Sequence, residues 1–172
     1  MFDGAGFVRG VQRKGFDLTG KRVLVVGSGG VGCAIAASLA GAGIAAISLF
    51  DVNTASAEAL GQRLKQNYPQ IDVRTGSNDP ADHDLVVNAT PMGMNEGDAL
   101  PMDVSRISPD AFVGEVVMKT EMTAFLQAAK NRGCRVQVGS DMLFEQIPAY
   151  LEYFGLPTTT ADVLRDVAQL SY

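Results

Sequence analysis

The chain has 172 residues, 47% hydrophobic and 19% charged, a balance that excludes disorder, collagen and coiled coil as overall classes. With 14 Lys and Arg against 19 Asp and Glu, the net charge is -5, so neither nucleic acid nor an anionic membrane is an expected partner. The length fits a single domain over residues 1–172. The apolar runs are too short to span a bilayer, and two cysteines without a basic-then-apolar leader favour the cytoplasm.

Strands and helices are predicted to alternate along the chain. Short apolar, β-branched runs predict strands at residues 22–26, 44–50, 72–75, 84–88, 112–118 and 134–138. Helical spacing of apolar residues predicts helices at 31–42, 54–67, 120–132, 140–154 and 160–170, the last following threonine caps at 158–160. Strands joined by helices pair in parallel through right-handed crossovers. The predicted fold is therefore α/β, a doubly wound parallel sheet in three α/β/α layers.

A glycine-rich segment follows the first predicted strand. Its residues fit G-x-G-x-x-G and are Gly27, Ser28, Gly29, Gly30, Val31 and Gly32. Gly27 would allow a tight turn, Gly29 a close approach to a pyrophosphate, and Gly32 close packing of the helix on the strand. Amides at the helix N-terminus would then hold the phosphates. A glycine-rich turn that binds nothing is the alternative, but the position between strand and helix favours a dinucleotide site in a Rossmann-like domain.

Asp51 ends the second predicted strand, nineteen positions after Gly32. A carboxylate there accepts hydrogen bonds from the ribose hydroxyls on the adenine side of NAD, with Val52 beside it. An NADP site would place a cation here, and residues 52–56 contain no Arg or Lys. NAD is therefore the preferred cofactor, and NADP the second choice. The alternative is that Asp51 only caps the strand end or the next helix.

Four segments together resemble the C-terminal dinucleotide-binding domain of shikimate and quinate dehydrogenases. They are DGAGF at residues 3–7, the glycine loop, NATPMGM at 88–94 and GSDMLFEQ at 139–146. The run DVNTASAEAL at 51–60 is similar to the NAD-using quinate/shikimate branch. The chain departs from the family at Met1 and Phe2, where Asn and Thr are usual, and at residues 118–121, where many members have Tyr and Pro.

The resemblance implies roles for single residues. Asp3 matches an aspartate that helps to bind substrate hydroxyls and pairs with a catalytic lysine, and Gln146 matches a substrate-contacting glutamine. The remaining matches are on the cofactor side: Asn88, Thr90 and Met94 in a loop that passes over it, and Gly139 and Met142 near the nicotinamide. None of the five lysines of this chain matches the catalytic position.

Without the resemblance, the same residues have simpler interpretations. Met94 and Met142 would be packing residues, Gln146 a solvated residue of an amphipathic helix, and Asp3 the N-cap of a helix that begins near Gly4. His83 is the sole histidine and has no ligand-spaced neighbours, so we predict a surface loop residue and no metal site.

The family implies an oxidoreductase of aromatic amino-acid biosynthesis, in which hydride passes between a cyclic polyhydroxy acid and the nicotinamide. In the family, a substrate domain precedes this one and supplies the catalytic lysine. We therefore expect the cofactor-binding half of a shikimate/quinate-type dehydrogenase, with the substrate domain missing and the isolated chain catalytically incompetent. Its small-molecule substrate would bind only with a substrate domain, and homo-oligomerisation is left open. A stand-alone, non-catalytic dinucleotide-binding module is the alternative.

Overall fold

A parallel sheet forms the centre of the molecule. The computed structural model describes residues 2–169, and within them six strands pair in the order β3-β2-β1-β4-β5-β6. The strands are β1 (Arg22–Val26), β2 (Ala46–Phe50), β3 (Asp72–Thr75), β4 (Leu85–Asn88), β5 (Phe112–Glu115) and β6 (Arg135–Gln137). The order reverses between β1 and β4, which creates a crevice outside the carboxyl ends of the strands. The predicted doubly wound parallel sheet is confirmed.

Helices cover both faces of this sheet. They are α1 (Phe2–Arg13), α2 (Gly30–Gly41), α3 (Thr54–Asn67), α4 (Ala124–Asn131), α5 (Gly139–Tyr153) and α6 (Ala161–Val167), with a 3-10 turn at Val104–Arg106. Among the helices of residues 2–169, none is long and apolar enough to cross a membrane.

Alternate residues of the central strands enter two separate cores. Val23 and Val25 of β1 pack in a cluster with apolar residues of α1, α2 and α3. Leu24 and Val26 point the other way, into a cluster with α4 and the 3-10 turn. Because side chains alternate between the two faces of a strand and both faces are covered, β1 is a continuous apolar run. The three α/β/α layers are those that the sequence predicts.

Some helices and strands begin or end at other residues than the sequence predicts. Helix α4 begins at residue 124 rather than 120, because the Thr123 hydroxyl accepts the N–H of Leu126 at 3.2 Å and caps the helix. Strand β5 ends at Glu115 rather than residue 118, since its neighbours pair with it only as far as Glu115. The expected threonine cap of α6 is Thr160. Helix α6 ends at Val167, with Ala168 as its C-cap, so the predicted helix is too long over residues 168–169, and its predicted end at Leu170 falls outside the described residues.

Helix α1 is anticipated only by the alternative interpretation of Asp3, which places the start of a helix near Gly4. Three of its glycines are buried, and glycine has low helix propensity. A β-carbon on Gly4 would collide with the carbonyl of Ala34, and one on Gly10 would lie 2.7 Å from the Gln137 side chain. The glycines let α1 press its backbone against α2 and the end of β6. Tertiary packing therefore stabilises a helix that local propensity does not favour.

Candidate functional site

The residues predicted to bind the cofactor gather at the carboxyl edge of the sheet. Val26, the last residue of β1, is in register with Phe50 on one side and Asn88 on the other. The glycine loop, Asp51 and the loop after β4 therefore follow strand ends that lie side by side at one edge of the sheet. This edge lies at the reversal of strand order, where α/β proteins of this topology bind ligands.

Two glycines of the loop are required by the fold itself. Gly27 has a φ of +106°, and a β-carbon there would lie 2.5 Å from the carbonyl oxygen of Ala89. A β-carbon on Gly32 would collide with the carbonyl of Gly27. A side chain at either position would push α2 or the β4 loop away. These contacts fit the roles that the motif assigns to Gly27 and Gly32.

The middle glycines are not explained by internal contacts. A β-carbon on Gly29 or Gly30 would meet no heavy atom within 4 Å beyond its own chain neighbourhood. Gly29 has a φ of -73°, which any residue adopts, and as N-cap of α2 it offers no side-chain oxygen to the first-turn amides. Uncapped amides at the positive end of a helix dipole suit an anion. A small residue here keeps the approach to those amides clear.

Asp51 ties the glycine loop to the end of β2. Its Oδ2 accepts the N–H of Ser28 at 2.7 Å and its Oδ1 accepts the N–H of Asn53 at 2.8 Å. Asp51 therefore caps the strand end, but each of its oxygens keeps a second lone pair for a ribose hydroxyl. Val52 is 93% exposed beside it. The Ser28 side chain is buried, and its hydroxyl has no hydrogen-bond partner among the described residues.

A cation that the sequence analysis missed lies close to this loop. Arg63, on the third turn of α3, directs Nη2 to the Sγ of Cys33 on α2 at 3.5 Å. With Ser28, Ser56 and two alanines of α3 it lines a cleft of about 310 Å³. Arg63 lies beyond residues 52–56, where a cation for NADP is expected, and only the packing of α3 beside α2 brings it to the loop.

The loop after β4 is held in shape by Asn88. Its Oδ1 accepts the N–H of Thr90 at 3.1 Å and the Thr90 hydroxyl at 2.6 Å, and its Nδ2 donates to the carbonyl of Met92 at 3.0 Å. Met94, further along, is 43% exposed, so its interpretation as a packing residue is wrong. The Lys119 ammonium donates to Asn95 Oδ1 at 3.0 Å. A residue of the segment that departs from the family thus joins the loops after β4 and β5.

A buried carboxyl lies under these two loops. Glu115 ends β5 in register with Asn88 and is fully buried. Its Oε2 accepts the Thr123 hydroxyl at 2.9 Å, while its Oε1 has no partner within residues 2–169. Burial raises the pKa of Glu115 to about 7, although hydrogen bonds from Thr123 and Asn88 partly oppose this. Sequence analysis did not single out Glu115, because one acid in an apolar strand is no motif.

The residues predicted on the nicotinamide and substrate side belong to α5 and α1. Gly139 opens α5 where a β-carbon would collide with the carbonyl of Val117, so close approach rather than a turn requires glycine. Met142 is 2% exposed and joins the core, as the packing interpretation holds. Gln146 is 5% exposed, with Oε1 unpartnered in the described chain. Its interpretation as a solvated residue is therefore wrong.

Asp3 lies in the first turn of α1, which begins at Phe2, so the alternative of an N-cap for a helix near Gly4 is wrong. Burial raises the pKa of Tyr150, and the charge of Asp3 adds to this effect. Tyr150 follows Gln146 by one helical turn, and Gly6 of α1 packs against Gln146. Asp3 and Gln146 therefore belong to the same α1–α5 contact.

His83 is half-buried rather than a surface residue. Its Nε2 forms a hydrogen bond with the Ser48 hydroxyl at 2.9 Å, and burial lowers the pKa of His83. The connection from β3 to β4 contains no helix, so His83 covers the sheet face at Ser48. Within residues 2–169, no three His, Cys, Asp or Glu side chains are grouped as metal ligands.

Comparisons with known proteins show which families and structures this chain is similar to. A profile of the ThiF family matches residues 11–73, which include the glycine loop and Asp51. A quinate/shikimate dehydrogenase (NAD(+)) from Corynebacterium efficiens is 36% identical over 160 residues, covering 90% of this chain and 56% of that protein. A quinate/shikimate dehydrogenase from Shigella flexneri is 34% identical over 156 residues, covering 84% and 63%.

The chain is similar to quinate/shikimate dehydrogenases. Among solved structures, quinate dehydrogenase from Corynebacterium glutamicum in complex with NAD matches with a TM-score of 0.84 and 31% identity, over 95% of this chain and 60% of that one. The chain thus spans about three fifths of the length of these proteins.

Proposed function

We propose that this chain is the dinucleotide-binding part of a quinate/shikimate-type dehydrogenase, with NAD preferred over NADP. The observation that carries the proposal is the contrast within the glycine loop. Gly27 and Gly32 are required by internal packing, whereas Gly29 and Gly30 face no protein atom and lie at an uncapped helix N-terminus. Glycine at those two positions is explained by a ligand that approaches the backbone closely.

The other residues fit a dinucleotide that is extended along the sheet edge. Gly29 and Gly30 would hold the pyrophosphate through backbone amides, and Asp51 would accept ribose hydroxyls. The Asn88–Met94 loop would cover the middle of the cofactor, with Gly139 and Met142 on the nicotinamide side. The names of the relatives, which include an NAD-dependent enzyme and an NAD complex, support this choice.

For the reaction, we propose hydride transfer between a ring carbon of a quinate- or shikimate-like acid and the nicotinamide, which supplies the hydride chemistry when bound. Gln146 would accept a hydrogen bond from a substrate hydroxyl through its unpartnered Oε1. The Asp3 carboxylate would accept another. These two residues alone neither fix the substrate against the nicotinamide nor supply a positioned general base. We therefore expect the 172-residue chain by itself to bind the dinucleotide but to oxidise quinate or shikimate poorly.

Calorimetric titration with NAD and NADP tests the binding step. Gly29→Val should weaken NAD binding by at least about 100-fold, because the side chain blocks two or more charge-assisted hydrogen bonds, while circular dichroism stays that of the wild type. Gly41→Val, at the other end of α2 in ordinary contact with Tyr68, is the matched control and should bind normally. Unchanged affinity in the Gly29 variant would contradict the assignment of the loop.

A second measurement separates the enzyme from a non-catalytic module. NADH formation is followed with quinate or shikimate for the chain alone and for the chain fused behind the substrate domain of a relative. Activity that appears only in the fusion supports the proposal. A fusion that folds and binds NAD but stays inactive would support a stand-alone dinucleotide-binding module instead.

A further inference from the structure

The cleft between the glycine loop and α3 contains polar side chains to which the proposed binding of NAD gives no role. Ser28, Ser56 and Arg63 line it, together with Ala55 and Ala59. Ser28 is 5% exposed, and its hydroxyl has no hydrogen-bond partner among the described residues. A buried hydroxyl without a partner costs free energy unless a ligand satisfies it. The cleft therefore combines hydroxyl groups, a cation and one unsatisfied polar atom beside a helix N-terminus.

Arg63 has no carboxylate partner in this cleft. Arg63 is exposed, and within residues 2–169 its side chain makes one weak hydrogen bond, to Cys33 Sγ at 3.5 Å. An arginine with free donors binds phosphate strongly, because its planar fork matches two phosphate oxygens. Asp51 and Glu58, the nearby acids, line a separate cleft and not the one that contains Arg63.

The charge of Asp51 is also partly compensated. Backbone N–H groups of Ser28 and Asn53 donate to its two oxygens at 2.7 and 2.8 Å. Hydrogen bonds of this kind draw negative charge toward their donors and reduce repulsion of a second anion. A phosphate on the adenosine ribose would thus meet a carboxylate whose charge is partly compensated on one side and a free guanidinium on the other.

We propose that Arg63 is a specificity-determining residue that pairs with a phosphate on the adenosine ribose, so that this chain binds NADP as well as NAD. The inference rests on the proposed dinucleotide function and adds to it the residue that sets the choice of cofactor. Arg63 replaces the cation that residues 52–56 do not provide. Asp51 makes NAD bind more tightly than NADP, and Arg63 keeps the affinity for NADP high enough to measure.

The test uses the full 172-residue chain at fixed ionic strength. Arg63→Ala should weaken NADP binding by about tenfold, equivalent to about 1.4 kcal/mol, and change NAD binding less than about twofold, because NAD has no ribose phosphate. Lys65→Ala is the matched control: it also removes one exposed positive charge from α3, but Lys65 lies on a different side of the helix and outside the cleft. It should change neither affinity. Arg63→Lys should recover part of the loss.

Small probes locate the effect on the ligand. Adenosine 2′,5′-bisphosphate and 5′-AMP differ by the ribose phosphate alone, and Arg63→Ala should weaken only the first. Equal losses for both probes, or an unchanged ratio of NADP to NAD affinity, would overturn the inference. So would a wild type that binds NAD without measurable NADP binding. A wild type that binds neither dinucleotide would instead overturn the proposed function, so the two failures are distinguishable.

Discussion

The buried carboxyl of Glu115 makes the stability of this protein depend on pH in a defined direction. In the folded chain the pKa of Glu115 is about 7, raised mainly by burial, against an ordinary value of 4.5. The folded state therefore holds a proton that the unfolded state releases between pH 4.5 and 7. The contribution of Glu115 to the free energy of unfolding is therefore highest below pH 4.5, the unfolded pKa, and is lost as the pH rises to about 7, the folded pKa. At 1.36 kcal/mol per pH unit, the loss is about 3 kcal/mol.

Glu115→Gln removes this titration while keeping shape and neutrality. The amide oxygen still accepts the Thr123 hydroxyl, which Glu115 accepts at 2.9 Å. We expect the free energies of unfolding of the variant and the wild type to differ by less than about 1 kcal/mol at pH 5, because the unfolded carboxyl is only beginning to lose its proton there. At pH 8 the variant should be more stable by about 3 kcal/mol, since the wild type then buries a carboxylate.

The assay is urea unfolding followed by circular dichroism at pH 5, 6, 7 and 8. Other titrating groups, such as His83, are common to both proteins and cancel in the difference. Glu58→Gln removes an exposed carboxyl from α3 and is the control, for which the difference from wild type should stay small at every pH. A difference between Glu115→Gln and wild type that does not change with pH would refute the reasoning.

Three further predictions concern the loop, the cofactor and the ion pairs. Gly32→Ala should destabilise the fold by roughly 2 kcal/mol or more, measured by urea unfolding, because the added carbon collides with a loop carbonyl; an unchanged midpoint would contradict it. Asp51→Ala combined with Val52→Arg should reverse the preference from NAD to NADP in calorimetry, and a retained NAD preference would count against the role of Asp51. Arg165→Met should lower stability by roughly 1–2 kcal/mol, because it removes a 3.0 Å partner of the nearly buried Glu145; a melting temperature equal to wild type would exclude that contribution.

Short-range patterns in the sequence are enough to predict the centre of this fold. A β-branched run, a glycine loop and an alanine-rich helix in succession specify β1, the turn and α2, since each signal lies within a few residues of the structure it determines. Helix α3 and strand β3 have the bounds that periodicity predicts. The alternation of strands and helices then leaves parallel pairing as the sterically favoured arrangement.

The extent of the candidate site depends on contacts between distant residues. Arg63 becomes a neighbour of the glycine loop only when α3 packs beside α2, and the pKa of Glu115 reaches about 7 only because the fold buries its carboxyl. Helix α1 forms in spite of its glycines, since their missing side chains allow close backbone packing. Gln146 is buried by that same helix. Helix propensity and residue spacing describe a residue and its near neighbours in the sequence. The burial of a side chain, its pKa and its contacts across a cleft depend on which helices and strands pack together, so only the tertiary structure decides them.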